Sequence, residues 1–169
     1  MKKLLVLLVI VCFGLSAHAQ LRHVAGNQSL GLGIGITKDA KQISGNFGYL
    51  LKDNLGIGAR LAYEMIDLGV SDAGQVYLNP SGWYMLTTIN QIVFFNVKGG
   101  FIIGYEYSSY DDFNIEESGV YLGENVGLKT EFYFNNKISM DLDVEQRFFQ
   151  KSIFGSQSYL ISLTLNYKL

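Results

Sequence analysis

The sequence predicts an all-β fold, an eight-stranded antiparallel up-and-down transmembrane β-barrel, from three observations. The first is the C-terminus, where Tyr159, Ile161, Leu163, Leu165, Tyr167 and Leu169 alternate with Leu160, Ser162, Thr164, Asn166 and Lys168 up to the last residue. Period-2 alternation puts one row of side chains on each face of a strand, and an aromatic-containing final strand suits barrel closure. The second is the recurrence of such segments, eight in all, most near the 9–11 residues that a tilted membrane strand needs. The third is loop length: short connections at 51–54, 90–91 and 135–137 alternate with long ones at 66–81, 108–119 and 149–157. Short periplasmic turns opposite longer external loops are the mark of an outer-membrane barrel.

The first nineteen residues read as a secretory leader. Lys2 and Lys3 form a basic start, Leu4 to Leu15 an apolar run, and Ala17-His18-Ala19 a small-residue cleavage site. The apolar run is too short to span a bilayer as a helix. Cys12 follows Val9-Ile10-Val11 rather than the small residues of a lipoprotein signal, so no lipid anchor is expected. The expected organisation is a signal peptide over 1–19, a polar lead over 20–27 and one barrel domain over 28–169. Cys12 is the only cysteine, so the mature chain has no disulfide and no thiolate site. Removing Lys2 and Lys3 from 13 basic residues leaves 11 against 15 acidic, a formal −4, which argues against a nucleic-acid partner held through its phosphates.

The first strand, 28–37, sets Leu30, Leu32, Ile34 and Ile36 against Gly31, Gly33 and Gly35. The second, 42–50, sets Ile43, Phe47 and Tyr49 against Ser44, Asn46 and Gly48. The third, 55–65, alternates without a break from Leu55 to Met65. The fourth, 82–90, puts Trp83, Met85, Thr87 and Ile89 on one face and Tyr84 and Leu86 on the other. The fifth, 92–107, runs from Val93 through Phe101 to Tyr107 opposite Asn96, Lys98, Gly100, Gly104 and Glu106. In the sixth, 120–134, Glu124 falls on the apolar face, which predicts a bulge or a position above the hydrocarbon band. The seventh, 138–148, opposes Ile138, Met140, Leu142 and Val144 to Ser139, Asp141, Asp143, Glu145 and Arg147. The eighth is the C-terminal segment.

Alternation alone also fits a secreted soluble lipocalin-like barrel with its polar face outward. Glycine and charge on the polar face favour the membrane reading. Glycine weakens a water-facing strand but relieves crowding inside a narrow barrel. The same face carries Arg60, Lys98, Lys129 and Arg147 with Glu64, Glu106, Glu131, Asp141, Asp143 and Glu145, a mixed set able to pair in a filled lumen. Tyr49, Tyr63, Trp83, Tyr105, Tyr107, Phe132, Phe134, Tyr159 and Tyr167 sit near strand ends, where interfacial girdles form.

No catalytic residue, cofactor or metal site is expected. After the leader only His23 remains as a base of that type, at the periplasmic end, so no Ser-His-Asp set can form at the outer rim. The Asp141, Asp143, Glu145 row suits ion pairing with lumen cations better than cation binding. Partner contacts are expected from the external loops: Asp67, Asp72 and Tyr77 in the first long one, Tyr110, Asp111, Asp112, Phe113, Glu116 and Glu117 in the second, and Lys151 and Phe154 in the third. The second lacks the central glycine of an EF-hand.

The run Gly99-Gly100-Phe101-Ile102-Ile103-Gly104-Tyr105-Glu106, with 127–137 (Gly-Leu-Lys-Thr-Glu-Phe-Tyr-Phe-Asn-Asn-Lys) and Glu145-Gln146-Arg147, resembles the TraO-like proteins of conjugative transposons. That resemblance implies a non-enzymatic outer-membrane barrel acting as a structural or docking part of a conjugative transfer apparatus, with lipid and other assembly proteins as partners. The alternative is a small surface barrel of the OmpA or OmpX type, used for adhesion or ligand binding.

Overall fold

The computed structural model describes residues 23–67, 72–110 and 115–169. The predicted leader and the first three residues of the polar lead, 20–22, therefore lie outside the described residues. Eight antiparallel strands follow one another in chain order: β1 (Gln28–Ile36), β2 (Ala40–Lys52), β3 (Leu55–Asp67), β4 (Asp72–Ile89), β5 (Val93–Tyr110), β6 (Ile115–Tyr133), β7 (Ile138–Gln150) and β8 (Gln157–Lys168). β8 pairs with β1, so the sheet closes on itself.

The register fixes the barrel's shape. Following paired residues from Leu122 through Ile103, Leu78, Leu61, Gly45, Leu32, Leu165 and Met140 returns to β6 at Phe132, ten residues along. With eight strands and standard strand spacing, that stagger corresponds to a tilt of about 40°, within the range of closed barrels. The lumen is therefore narrow. Leu32, Leu61, Leu128, Leu163 and Leu165 point outward and are exposed, whereas Arg60, Glu64, Glu106, Glu145 and Arg147 are buried on the inner face. The apolar rows form the outside and the charges the core.

Some boundaries differ from the sequence reading. β4 starts ten residues earlier than expected, and β5 and β6 run further out, so most of the 66–81 and 108–119 segments are strand. Pro80 made β4 look like a loop. It pairs with Ala59 on β3 but leaves the β4–β5 ladder without a partner at that point, where the pairing passes from Leu78–Ile103 to Ser81–Gly100. Asn79 fills the gap, its Nδ2 donating to the Phe101 carbonyl at 2.6 Å. A proline is thus accommodated inside a strand because a side-chain amide replaces the missing backbone donor.

Glu124 is not at a bulge. The ladder runs unbroken through Phe101–Glu124 and Glu124–Phe148, and its side chain is exposed on the outer face between those two phenylalanines. The register shifts sit elsewhere, at Leu50/Lys52 and Met85/Thr87, near the short-turn end. The β4–β5 turn has neither glycine nor proline; Asn90 and Gln91 themselves adopt φ of 51° and 54°. Two successive left-handed residues match the twist of a tight hairpin, and asparagine tolerates that conformation better than most residues.

Trp83 faces the lumen instead of the interfacial girdle, and its neighbour Tyr84 points outward. The indole lies over β3, where a Cβ on Gly56 would overlap its ring. Replacing Gly56 with alanine is expected to cost about 1–3 kcal/mol by overpacking, measured by urea unfolding of the folded barrel in lipid.

Candidate functional site

Two regions carry chemistry: the charged lumen and the external rim. The lumen set is assembled by strand alternation, which aims every second residue of β2 to β8 at the same axis. Near the short-turn end, Lys129 Nζ lies 3.0 Å from Asp141 and 3.4 Å from Glu131, and 4.0 Å from the centre of the Trp83 ring. In the middle, Arg60 bridges Asp143 at 2.7 Å and Glu145 at 2.9 Å, while Lys98 reaches Glu145 at 2.7 Å. Asn125 donates to the second Glu145 oxygen at 2.8 Å. Higher up, Arg147 contacts Glu64 at 2.6 Å and donates to the Tyr77 hydroxyl at 3.0 Å. Tyr77 and Gln75 donate to the same Glu64 carboxylate.

Each carboxylate of the Asp141, Asp143, Glu145 row thus meets a lysine or arginine, and no metal-type cluster occurs among the described residues. Tyr77 is corrected from a loop residue to a lumen residue: it is 2% exposed, on β4, and joins Gln42, Glu64 and Arg147. Among the described residues no lysine or arginine forms an ion pair with Glu106. Its carboxylate instead accepts from Ser152 Oγ at 2.8 Å and the Ile153 amide at 2.7 Å.

Those two bonds draw segment 151–156 inward across the external mouth. Phe149 N donates to Ser156 O at 2.8 Å and closes the segment's base, with Lys151 and Gly155 in left-handed conformations. Lys151 is exposed and Phe154 half-buried in this strap. The opposite mouth is closed by the N-terminal lead. His23 stacks on Phe94 at 4.5 Å, its Nε2 lies 3.4 Å from Glu131, and Asp53 accepts from the Ala25 amide. Sequence reasoning placed His23 at this end but missed its stopper role, because nothing local to 23–27 signals a contact with Phe94 or Glu131.

Between these closures the lumen keeps cavities of about 40 Å³, beside Trp83, Lys98 and Asp143, and about 20 Å³ near Tyr133. Such volumes fit water, whereas organic ligands occupy roughly 300 Å³ or more. A larger concavity, about 730 Å³, lies instead on the outer wall between Leu32, Phe47, Leu61 and Leu165. A lumen filled by paired side chains should not conduct: planar-bilayer recordings of purified protein are expected to show no large, stable, ion-selective channels, and such channels would contradict the plug.

At the rim, β5 and β6 continue beyond β7, and β3 and β4 stay paired beside them to their own tip. β6–β7 pairing stops at Leu122–Gln150, yet β5 and β6 stay paired out to Tyr110–Ile115. Asp67 and Asp72 pair at the β3–β4 tip, and Tyr110, Glu116 and Glu117 lie in the extended strands rather than in a loop. Asp111, Asp112 and Phe113 lie outside the described residues.

The architecture matches solved barrels over nearly their full length. The N-terminal β-barrel domain of Pseudomonas aeruginosa OprF superposes with a TM-score of 0.64 at 12% identity, covering 86% of this chain and 98% of that one. Ail, the attachment invasion locus protein of Yersinia pestis, gives 0.59 at 14%, covering 86% and 100%. Neisserial surface protein A gives 0.60 at 11%, covering 85% and 95%. The chain therefore has the fold of small eight-stranded outer-membrane barrels. No protein-family model and no curated protein matches the sequence, so the TraO-like resemblance has no family match beside it.

Proposed function

We propose that this chain is a non-enzymatic outer-membrane surface barrel whose external blade, formed by the outer ends of β4, β5 and β6, recognises a partner outside the cell. The blade is the observation that carries this reading. A barrel serving only as a closed membrane plug gains nothing from β5 and β6 staying paired out to Tyr110–Ile115, seven residues of β6 past its last pair with β7. Outward leucines and isoleucines bounded by Tyr84, Tyr105, Tyr159 and Tyr167 suit a hydrocarbon band with interfacial aromatics. The plugged lumen offers no room for transport, which leaves the rim. Attachment, the role in the name of Ail, is the use that fits such a rim.

The test is display in a non-adherent bacterium, comparing the intact chain with a variant whose residues 68–71 and 109–116 are replaced by glycine-serine turns. Attachment to host cells or matrix is expected with the intact chain and lost with the variant, while heat-modifiable mobility and outer-membrane recovery stay unchanged. Equal attachment by both would defeat the reading. The C-terminal resemblance supports a second use of the same rim, docking within a conjugative transfer apparatus. Deleting the gene in a donor without a second copy should then lower transfer frequency, and unchanged transfer would remove that use.

A further inference from the structure

The outer part of β6 has a neighbour on one side only. From Ile115 to Tyr121 every residue pairs with β5, while pairing with β7 begins at Leu122. In an antiparallel sheet alternate residues aim their N–H and C=O groups at each neighbour, so this stretch presents an unpaired row on the β7 side. Seven residues of strand are roughly 23 Å of edge. The segment after β7 does not run up beside it, because Glu106 holds Ser152 and Ile153 over the lumen. No backbone hydrogen bond from 118–121 to the strap occurs among the described residues.

Natural proteins usually blunt such an edge with lysine, proline or a bulge. This one has none of them. From Gly99 to Leu128 the sequence holds no lysine, arginine or histidine but six acids, and two of these, Glu116 and Glu117, take register positions at the outer end of the edge, opposite Ser109 and Ser108 of β5. Lys151, at the foot of the edge, is the one basic residue of the strap.

Building on the surface-recognition reading above, we propose that the β6 edge binds an extended, lysine- or arginine-rich segment of a partner protein, which adds to the blade as a further strand. Main-chain hydrogen bonds to 115–121 supply affinity, and the acidic outer end selects the charge of the incoming segment. Pairing of two copies through the same edge is disfavoured, since it brings both acidic ends into one small sheet.

The experiment uses the whole barrel in lipid nanodiscs with three synthetic peptides: alternating lysine–threonine, the same peptide with a backbone N-methylated on alternate residues, and alternating glutamate–threonine. The lysine peptide is expected to bind and to slow amide hydrogen exchange at 118–121. N-methylation, the glutamate peptide, and the double change Glu116→Lys with Glu117→Lys should each weaken binding by at least about tenfold. Equal binding of the N-methylated peptide would show charge attraction without strand addition and overturn the proposal. So would equal binding of the glutamate peptide, unchanged exchange at 118–121, or dimers formed through this edge in preference to peptide binding. Loss of peptide binding with blade-dependent attachment intact would sink the edge proposal alone; loss of attachment in the display assay would sink the reading beneath it.

Discussion

Replacing Arg147 with methionine should cost about 3–5 kcal/mol of barrel stability, the range for breaking one side of a buried ion pair. Arg147 is 1% exposed and holds Glu64 at 2.6 Å, the Tyr77 hydroxyl at 3.0 Å and Ser158 Oγ at 3.1 Å. Methionine fills much of the volume but leaves the Glu64 charge buried with only neutral donors. The penalty therefore comes from the stranded carboxylate more than from the lost contact. Changing Glu64 to leucine in the same chain should restore most of the loss, because removing both members of a buried pair is often nearly neutral. Urea-dependent folding into lipid vesicles measures both variants. A single variant as stable as the parent, or a double variant worse than the single, would show that this cluster does not hold the lumen together.

Leu163→Arg should destabilise the barrel by about 2–4 kcal/mol, since lipid cannot solvate a guanidinium near the bilayer midplane. Leu163 points outward from β8 and sits between Ile34 and Leu142 in the ladder. Ser162, one residue earlier, is buried against the lumen, so Ser162→Arg is penalised by crowding instead. Ser156→Arg in the exposed strap should change little. Equal tolerance at Leu163 and Ser156, measured by the same folding titration, would mean that the apolar rows do not face lipid.

The eight strands were readable because β1 to β3, β7 and β8 keep a strict two-residue period over their lengths. The outer half of β4 was not readable. Gly74, Asn79, Pro80 and Gly82 are turn residues by composition, and only the three-dimensional pairing reveals that Asn79 repairs the ladder beside Pro80. Trp83 was misassigned for a related reason: aromatic character near a predicted strand end suggested an interface, but β4 begins far earlier and the indole packs inward over Gly56. The charges of the lumen were readable as a set, since alternation puts them on one face. Their pairing was not, because Arg60 meets Asp143 and Arg147 meets Glu64 across 83 residues of chain, a distance set by the stagger of the closed sheet. His23 and the strap at 151–156 were out of reach for the same reason, each being fixed by residues far away in sequence.

The direction of the two faces is tested most directly on β8. Cys12, the sole cysteine, lies in the predicted leader, so single cysteines can be placed from 160 to 168 in an otherwise cysteine-free mature chain and spin-labelled in lipid vesicles. Collision with oxygen, which concentrates in the bilayer, should peak at 161, 163, 165 and 167, while 160, 162, 164 and 166 should be shielded from both oxygen and a water-soluble nickel chelate. Nickel access at the odd positions, or a protein that stays monomeric and soluble without detergent, would contradict a barrel with lipid outside and a charged core within.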